Sequence, residues 1–375
     1  MRLKAHDVAL VGGGIVGACL AEELARRGLS VVVFDAGSEP GHATPRAAGV
    51  AVPSLRYAQD TEFYRWLQAG RGRLDADIAR LEPEFGTFSV ARPILRALRP
   101  ADAEVLAPHV EAAETVRWID AAEAGAAAAG LKLPAGRRLL HDDTGLMVDG
   151  RRYLAAVREA CLRAGVTWRQ GVTVLSVEEG GSADGSGGSG GTVELSTGDG
   201  RVRADRVVIT AGAWAGGDGL AAGLPVFPQR GQLAVLTGAE QPGAILSSAF
   251  YLAPGLDGTT VVGATEEDAG FDDRCTAAGI ARLLTFACAA MPSLAGAEPA
   301  GLRAGLRPAT RTGHPLTGRV PGRRRVYLCA GHAGHGLLSA RHTAEGFVAG
   351  MLHDAWESLP ISMCPTVVME GSPAS

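Results

Sequence analysis

The sequence predicts an α/β fold in which one domain is built from both ends of the chain and a second domain is inserted between them. Three observations lead to this prediction. A strand, a glycine-rich turn and a helix follow one another in residues 7–27, and a similar unit returns in residues 325–352. Between these units, short β-branched stretches accompany an amphipathic helix.

Length and composition are those of an ordinary globular protein. The chain has 375 residues, enough for two domains of roughly 150 residues each. Its residues are 46% hydrophobic and 20% charged, and the net charge is −4. This balance predicts no basic surface, so nucleic acid is excluded as the expected partner.

The cysteines and the N-terminus indicate a cytoplasmic protein. The opening run through Ala21 superficially resembles a signal peptide, but four glycines interrupt it and Glu22 and Glu23 follow directly. No run of about 18 apolar residues predicts a membrane span. Without a CxxC pair, the scattered cysteines favour a reducing cytosol over a zinc site or a disulfide framework; they are Cys19, Cys161, Cys275, Cys288, Cys329 and Cys364.

The first unit is predicted from apolar runs and helix-end residues. Asp7–Val11 is expected to form a buried strand, Ile15–Arg27 a helix and Leu29–Phe34 a second buried strand. Gly28 ends the helix directly after two arginines, whose charges suit a helix C-terminus.

The middle of the chain predicts one amphipathic helix, one surface helix and three strands. The helix covers Arg151–Ala164 and stops at Gly165. The glycine- and serine-rich residues 180–191 are expected to form a long hairpin loop, because the strands on either side look like partners in one sheet. A surface helix is expected over Ala121–Ala129. The predicted strands are Val172–Val177, Thr192–Ser196 and Arg206–Thr210.

The last unit begins with a predicted strand at Arg325–Ala330. Gly331, Gly334 and Gly336 form a tight turn, and Leu337–Leu352 is predicted to be a helix.

The N-terminal glycines predict a dinucleotide site. Gly12 permits the turn off the strand, Gly14 allows close approach of a pyrophosphate, and Gly17 allows close helix–strand packing. Asp35 ends the next strand, 21 residues after Gly14, where an acid accepts hydrogen bonds from ribose. By itself the motif fits NAD as well as FAD, and a glycine-rich turn without a ligand is the alternative. The expected contacts are Gly12, Gly14, Ile15, Val16, Gly17, Asp35 and Ala36.

Four further motifs follow in a defined order: Pro45-Arg46-Ala47-Ala48-Gly49-Val50, Ala211-Gly212-Ala213-Trp214, Gly305-Leu306-Arg307-Pro308-Ala309-Thr310, and Ala330-Gly331-His332-Ala333-Gly334-His335-Gly336-Leu337-Leu338. In this order they resemble the FAD-dependent D-amino-acid oxidase family, most closely its glycine oxidase and sarcosine oxidase branch. The resemblance runs from about Val8 to Leu352. It implies FAD as the cofactor.

The resemblance also implies the domain organisation. Residues 1–85, 148–225 and 300–375 are expected to form a Rossmann-like FAD-binding domain. Residues 86–147 and 226–299 are expected to form an interleaved α+β substrate domain of mainly antiparallel sheet. The ligands then lie between the two domains, at the carboxyl ends of the parallel strands.

Cofactor contacts follow from the matching motifs. Asp35 matches the ribose-binding acid, although the family more often has Glu. Val174 matches the residue whose backbone contacts the adenine. Reduced flavin carries negative charge, which backbone N–H groups at the start of the last helix would stabilise. The remaining matches are Thr44, Ala47, Ala48 and Gly49 beside the flavin and its phosphates; Ala211, Gly212 and Trp214 over the cofactor; and Gly331, His332, Gly334, His335, Gly336, Leu337 and Leu338 at the isoalloxazine.

Two residues match the family's substrate contacts. Arg307 corresponds to the arginine that grips the substrate carboxylate through two parallel hydrogen bonds. Tyr251 corresponds to the tyrosine that gives the same carboxylate a further hydrogen bond. A surface or phosphate-contacting arginine and a core tyrosine are the alternatives. No catalytic residue is assigned beyond this positioning pair.

The chain departs from its relatives at several positions. Gly255 stands where relatives often have Arg, and Gly334-His335 where many glycine oxidases have Arg-Asn. No cysteine lies in the segment to which sarcosine oxidases attach flavin, so FAD is expected to bind non-covalently. Those enzymes also place a lysine against the flavin, whereas this chain has only Lys4 and Lys132, and Glu266 falls near that position. His332 and His335 lack a third ligand, so no metal site is predicted.

The predicted reaction is oxidative deamination of a small amino acid or amine of the glycine, sarcosine or D-amino-acid type. Hydride passes to flavin N5 and oxygen is reduced to hydrogen peroxide. A dehydrogenase with another electron acceptor, a biosynthetic amine oxidase, a non-catalytic flavoprotein and an NAD-dependent dehydrogenase are the alternatives. A homo-oligomer is compatible with the sequence.

Overall fold

Two large sheets contain most strands of the computed structural model, which describes residues 5–37, 42–111, 115–127, 130–180, 191–216, 220 and 223–370. The helices are α1 Ile15–Arg26, α2 Ala43–Arg46, α3 Thr61–Phe85, α4 Pro100–Glu111, α5 Ala121–Ala127, α6 Gly150–Arg163, α7 Ala277–Ala290, α8 Gly336–His353 and α9 Pro365–Glu370. The strands are β1 Ala5–Val11, β2 Val31–Asp35, β3 Ser89–Ala91, β4 Ile94–Leu98, β5 Val116–Ile119, β6 Arg138–Asp142, β7 Leu146–Val148, β8 Thr167–Gln170, β9 Val174–Glu179, β10 Val193–Thr197, β11 Gly200–Ile209, β12 Val226–Thr237, β13 Ile245–Ser247, β14 Tyr251–Pro254, β15 Thr260–Gly263, β16 Glu298–Thr310, β17 Leu316–Arg319 and β18 Val326–Ala330.

The first sheet has the order β17-β18-β11-β1-β2-β8, with β10 beside β11 and β9 beside β10. Strand β1 pairs in parallel with β2 and β11, and β11 pairs in parallel with β18. Along β1, Val8 and Leu10 pack against helices α1, α3, α6 and α8, whereas Ala9 and Val11 pack into a second core with β9 and β10. Burial on both faces explains why these strands are continuous apolar runs.

The helical layer contains a buried charge network that the sequence did not predict. Arg341 of α8 is 5% exposed and its Nε donates to Asp77 Oδ2 at 2.8 Å. The same carboxylate oxygen accepts from the hydroxyl of Tyr153 at 2.7 Å, and Arg341 Nη2 donates to Glu22 at 2.5 Å. The network links α1, α3, α6 and α8 beneath the sheet.

The second sheet has the order β16-β12-β15-β14-β13-β4-β6-β5. All of its pairs are antiparallel except β13 with β4. The mixed α/β fold with a mainly antiparallel second sheet is therefore confirmed. Residues 300–310 lie in the second sheet, because β16 pairs with β12 along its whole length. The predicted boundary at residue 300 thus falls inside a strand, and the change of sheet comes after Thr310.

Most predicted elements are present with small shifts at their ends. Strands β9 and β10 pair antiparallel, with Glu179 opposite Val193, so the flanks of the glycine- and serine-rich segment are partners in one sheet. Residues 181–190 of that segment lie outside the described residues. Helix α5 covers 121–127, and residues 128–129 are likewise outside. Among the described helices, none has the length and apolar character that a membrane span requires.

Candidate active site

One cavity of about 1820 Å³ lies between the two sheets. Its first wall is formed where the parallel strands β1, β2, β11 and β18 end, at Val11, Asp35, Thr210 and Ala330. Its second wall comes from β12, β14 and β16 of the antiparallel sheet. Ligands of α/β proteins bind at such carboxyl ends, because loops and helix N-termini converge there.

The N-terminal turn brings backbone to the cavity at close range. Gly12 has φ +113°, and a methyl group there would lie 2.4 Å from the carbonyl oxygen of Thr210. Gly14, Ile15 and Val16 follow on the cavity wall. Gly17 does not reach the wall; its missing side chain lets α1 pack against the Gly12 carbonyl oxygen, which a methyl group would approach to 2.1 Å.

Asp35 lies beside this turn, as the strand–turn–helix spacing predicts. Its Oδ1 accepts a hydrogen bond from the Gly37 N–H at 3.0 Å. A methyl group at Gly13 would lie 2.4 Å from Asp35 Oδ2 and 2.6 Å from the ring of Trp168. Gly13 therefore has a steric reason to be glycine that the motif analysis missed. Ala36 and Val174 also line this end of the cavity.

Two segments line the middle of the cavity. Thr44 Oγ1 accepts a hydrogen bond from the Ile15 N–H at 3.2 Å, which ties the segment of α2 to the start of α1. Gly49 has φ +92°, and a methyl group there would lie 2.5 Å from the Val148 carbonyl oxygen. Trp214 is 39% exposed and makes an edge contact with His42. The other predicted residues on this stretch of wall are Ala47, Ala48, Ala211 and Gly212.

The C-terminal turn places the start of α8 at the other end. His332, Gly334, His335, Gly336 and Leu337 line the cavity. Gly331 (φ +83°) and the buried Leu338 lie behind the wall and are not among its lining residues.

Both histidines of this turn are neutral imidazoles. Burial lowers the pKa of His332 to about 3, with a smaller contribution from His335. His332 Nε2 lies 3.1 Å from Thr343 Oγ1. Burial, helped by Arg56 and His314, lowers the pKa of His335 to about 4. The Nδ1 atom of His335 is buried with no hydrogen-bond partner among the described residues.

Arg307 and Tyr251 lie close together on a floor made of two glycines. A methyl group at Gly231 of β12 would lie 2.5 Å from Arg307 Nη1, and one at Gly263 of β15 would lie 2.7 Å from the Tyr251 hydroxyl. Arg307 Nη1 donates to the Thr265 carbonyl at 3.0 Å. Strands β16, β12, β15 and β14 are neighbours in that order. The sheet therefore brings Arg307 of β16 near Tyr251 of β14, although the two residues are far apart in the sequence.

The Tyr251 hydroxyl is a protonated donor. Burial raises the pKa of Tyr251 to about 12, although the Arg307 charge opposes this. The hydroxyl oxygen is buried and has no hydrogen-bond partner in the described part of the chain. A guanidinium and an unpaired buried hydroxyl side by side form a site for a carboxylate.

The cavity has the donors that FAD requires. Its two ends are the N-termini of α1 and α8, and neither N-cap residue, Gly14 or His335, caps its helix with a side chain. Backbone N–H groups are thus available for a pyrophosphate at one end and for an anionic ring at the other.

All six cysteines belong to the described residues, and of these only Cys329 lines the cavity. Burial raises the pKa of this thiol to about 12, which makes it a poor nucleophile for covalent attachment.

The positions that depart from the family pattern lie in different places. Glu266 lines the cavity and its Oε1 lies 3.4 Å from Arg56 Nη2. Gly255 is in the turn between β14 and β15, where a methyl group would lie 2.3 Å from Thr259 Oγ1. Lys132 donates its N–H to the Ala290 carbonyl oxygen and is not among the lining residues, and Lys4 is outside the described residues. Within the described ranges, no three His, Cys, Asp or Glu side chains are grouped for metal binding.

The chain is similar to known proteins over most of its length. The model of the FAD dependent oxidoreductase family, DAO, matches residues 7–349. Glycine oxidase of Pseudomonas putida is 31% identical over 356 residues, which cover 91% of this chain and 93% of the relative. The crystal structure of glycine oxidase from Geobacillus kaustophilus has a TM-score of 0.84 and 25% identity, covering 96% of this chain and 98% of that one. Iminodiacetate oxidase from Chelativorans sp. BNC1 has a TM-score of 0.78 and 29% identity, covering 92% and 95%.

Proposed function

Since the chain belongs to the FAD dependent oxidoreductase family, we propose that it deaminates a small amino acid oxidatively and reduces oxygen to hydrogen peroxide. The observation that carries this proposal is the pair Arg307 and Tyr251, which share one cavity with the glycine turn at Gly12 and the start of α8. Relatives named glycine oxidase and iminodiacetate oxidase support a small amino acid as the substrate class.

FAD is held by backbone and by one carboxylate. The first turn of α1, after Gly12 and Gly14, would hold the pyrophosphate. Asp35 would accept hydrogen bonds from the ribose, and the backbone of Val174 would contact the adenine. The start of α8, from Gly334 to Leu337, would hold the isoalloxazine. Thr44, Ala47, Ala48, Gly49, Ala211, Gly212 and Trp214 line the path between these ends.

The protein's part in the reaction is positioning. Arg307 binds the substrate carboxylate through its guanidinium fork, and Tyr251 donates its hydroxyl to the same group. Two contacts to one carboxylate would hold the α-carbon of the substrate in a single orientation in the cavity. When bound, FAD supplies the chemistry of hydride acceptance at N5 and of electron transfer to oxygen. The substrate amine reacts in its neutral form, and the imine released is hydrolysed to an oxo acid and ammonia.

Anaerobic mixing tests this reaction. The yellow protein is mixed with glycine, sarcosine, D-alanine and simple amines, and flavin absorbance is followed. We expect bleaching by carboxylate-bearing amines and peroxide formation when air is readmitted. Bleaching without peroxide, together with turnover of a dye, would instead identify a dehydrogenase. A flavoprotein that no amine bleaches would contradict the proposal.

Substitution of the arginine tests the positioning. Arg307→Lys replaces a bidentate fork by a point charge, so we expect KM for the substrate to rise strongly with flavin content retained. An unchanged KM would remove Arg307 from the substrate site. Lys at this position keeps the positive charge, which separates the loss of geometry from the loss of charge.

A further inference from the structure

A second buried arginine, Arg96, lies on the cavity wall near the substrate pair. In the second sheet, Arg96 of β4 stands directly opposite Ser247 of β13, and Ser247 stands opposite Tyr251 of β14. Residues that stand opposite one another on adjacent strands point to the same face of a sheet. With strands about 4.8 Å apart, Arg96 is about 10 Å from Tyr251 along this row. Both residues line the same cavity.

The hydrogen bonds of Arg96 are incomplete. Its side chain is 11% exposed, and one nitrogen, Nη2, lies 3.4 Å from Asp142 Oδ2. The other oxygen of Asp142 already accepts from the N–H and the hydroxyl of Thr144. Arg96 Nε is buried and has no hydrogen-bond partner among the described residues. A buried guanidinium with a free donor is costly unless an acceptor completes it.

The exposed arginine on the same wall is a different case. Arg56 is 66% exposed, so water satisfies its donors, and it lies beside Glu266. The Arg96 side chain is mostly buried and lines the cavity, so a ligand bound there can supply an acceptor to its guanidinium. The strongest acceptor for a guanidinium fork is a carboxylate.

We propose that Arg96 binds a second carboxylate of the substrate, so that the substrate is an amino dicarboxylate held at one end by Arg307 and Tyr251 and at the other by Arg96. This inference rests on the proposed function of the same cavity and names its substrate class. The amine and the carbon that is oxidised lie between the two anchored carboxylates. Two charged anchors favour a dicarboxylate over an amino acid whose second end is neutral, since the free donor of Arg96 would then lack an acceptor.

Matched acid and amide substrates test the inference on the unmodified FAD-loaded protein. Anaerobic flavin reduction is measured with D-glutamate against D-glutamine, and with iminodiacetate against its monoamide. We expect each acid to be preferred by roughly 10- to 150-fold in kcat/KM, the factor that corresponds to one charged hydrogen bond. Equal rates for acid and amide would overturn the inference while leaving the amine oxidase function intact. Absence of reduction by every amine would overturn the function as well.

Variants then assign the preference to Arg96. Arg96→Gln is expected to lower kcat/KM for the acids by roughly 10- to 150-fold and so to remove their preference over the amides. Arg92→Gln is the matched control, because Arg92 lies just before β4 and its side chain donates to the neighbouring Ala91 carbonyl at an exposed position. A preference that survives in Arg96→Gln would assign it to another group and contradict the proposal. If Arg96→Gln loses its flavin, the acid-to-amide ratio of the unmodified protein still decides the substrate class.

Discussion

Gly231 is predicted to determine where the Arg307 guanidinium lies. In Gly231→Ala the new methyl group would lie 2.5 Å from Arg307 Nη1 and 2.6 Å from both Cζ and Nη2. Ordinary contacts of a Cβ atom begin at about 3.4 Å. The guanidinium must therefore move by about 1 Å, and the open cavity beside it gives it room to do so.

The expected cost follows from the hydrogen bonds that a displaced fork loses. One charge-assisted bond to the substrate carboxylate is worth roughly 1.5–3 kcal/mol, which corresponds to a roughly 10- to 150-fold loss in kcat/KM. A misplacement of about 1 Å is known to reduce rates by a similar factor. Folding should be little affected, because the clash is relieved by the end of a flexible side chain rather than by backbone.

The assay measures kcat and KM with the best substrate of the anaerobic panel, together with flavin content and the thermal midpoint. Gly301→Ala is the matched control, since a methyl group on this neighbouring strand has no atom within 4 Å. We expect Gly301→Ala to behave as the unmodified enzyme. If Gly231→Ala keeps its kcat/KM while Arg307→Lys loses activity, the steric reasoning is wrong. If neither Gly231→Ala nor Arg307→Lys changes kcat/KM, Arg307 does not hold the substrate.

Three further predictions concern the cofactor, the fold and pH. Gly12→Ala should yield protein without flavin, because its methyl group would lie 2.4 Å from the Thr210 carbonyl oxygen. The control Gly28→Ala, at a comparable φ of +83° but in open space, should stay yellow. The flavin absorbance of the purified proteins decides, and a yellow Gly12→Ala protein would refute the expected clash. Asp77→Asn should lower the free energy of unfolding in urea by about 3–5 kcal/mol, because it leaves the 5%-exposed Arg341 short of a partner. The control Asp75→Asn, at an exposed ion pair, should lower it by less than about 1 kcal/mol. Equal effects would mean that the buried network contributes no more than a surface pair. Burial lowers the pKa of His332 from 6.5 to about 3, so below pH 6.5 the unfolded chain binds a proton that the folded protein does not. The stability from this group is therefore lost as pH falls towards 3, at about 1.4 kcal/mol per pH unit. His332→Asn should reduce this loss of unfolding free energy in urea titrations at several pH values, and an unchanged dependence on pH would contradict the prediction.

The first unit of the fold could be predicted because its information is local. A strand, a turn with positive φ at Gly12 and a helix are specified by residues that are neighbours in the chain, and Asp35 follows one strand later. The strand and turn before α8 are local in the same way. The strands beside the glycine- and serine-rich segment were likewise predicted to be partners, as β9 and β10 are. The boundary predicted at residue 300 falls inside β16, which continues across it in the second sheet.

The candidate substrate site depended on more than local pattern. Arg307 and Tyr251 were named only through resemblance to a family, since no feature of their own segments marks them. Arg96, Gly231 and Gly263 were missed. Each lies in a strand with ordinary residues around it, and glycine in a strand has many explanations.

The sequence by itself therefore determined the type of fold and the dinucleotide turn, and its resemblance to a family identified FAD as the cofactor. Only the tertiary structure decided which side chains meet, because the order β16-β12-β15-β14-β13-β4 joins residues up to 211 positions apart, from Arg96 to Arg307. Strand pairing of this kind is set by the packing of the whole sheet and not by neighbours in the chain. The same holds for Arg341 and Asp77, whose burial as a charged pair depends on how α3 and α8 pack.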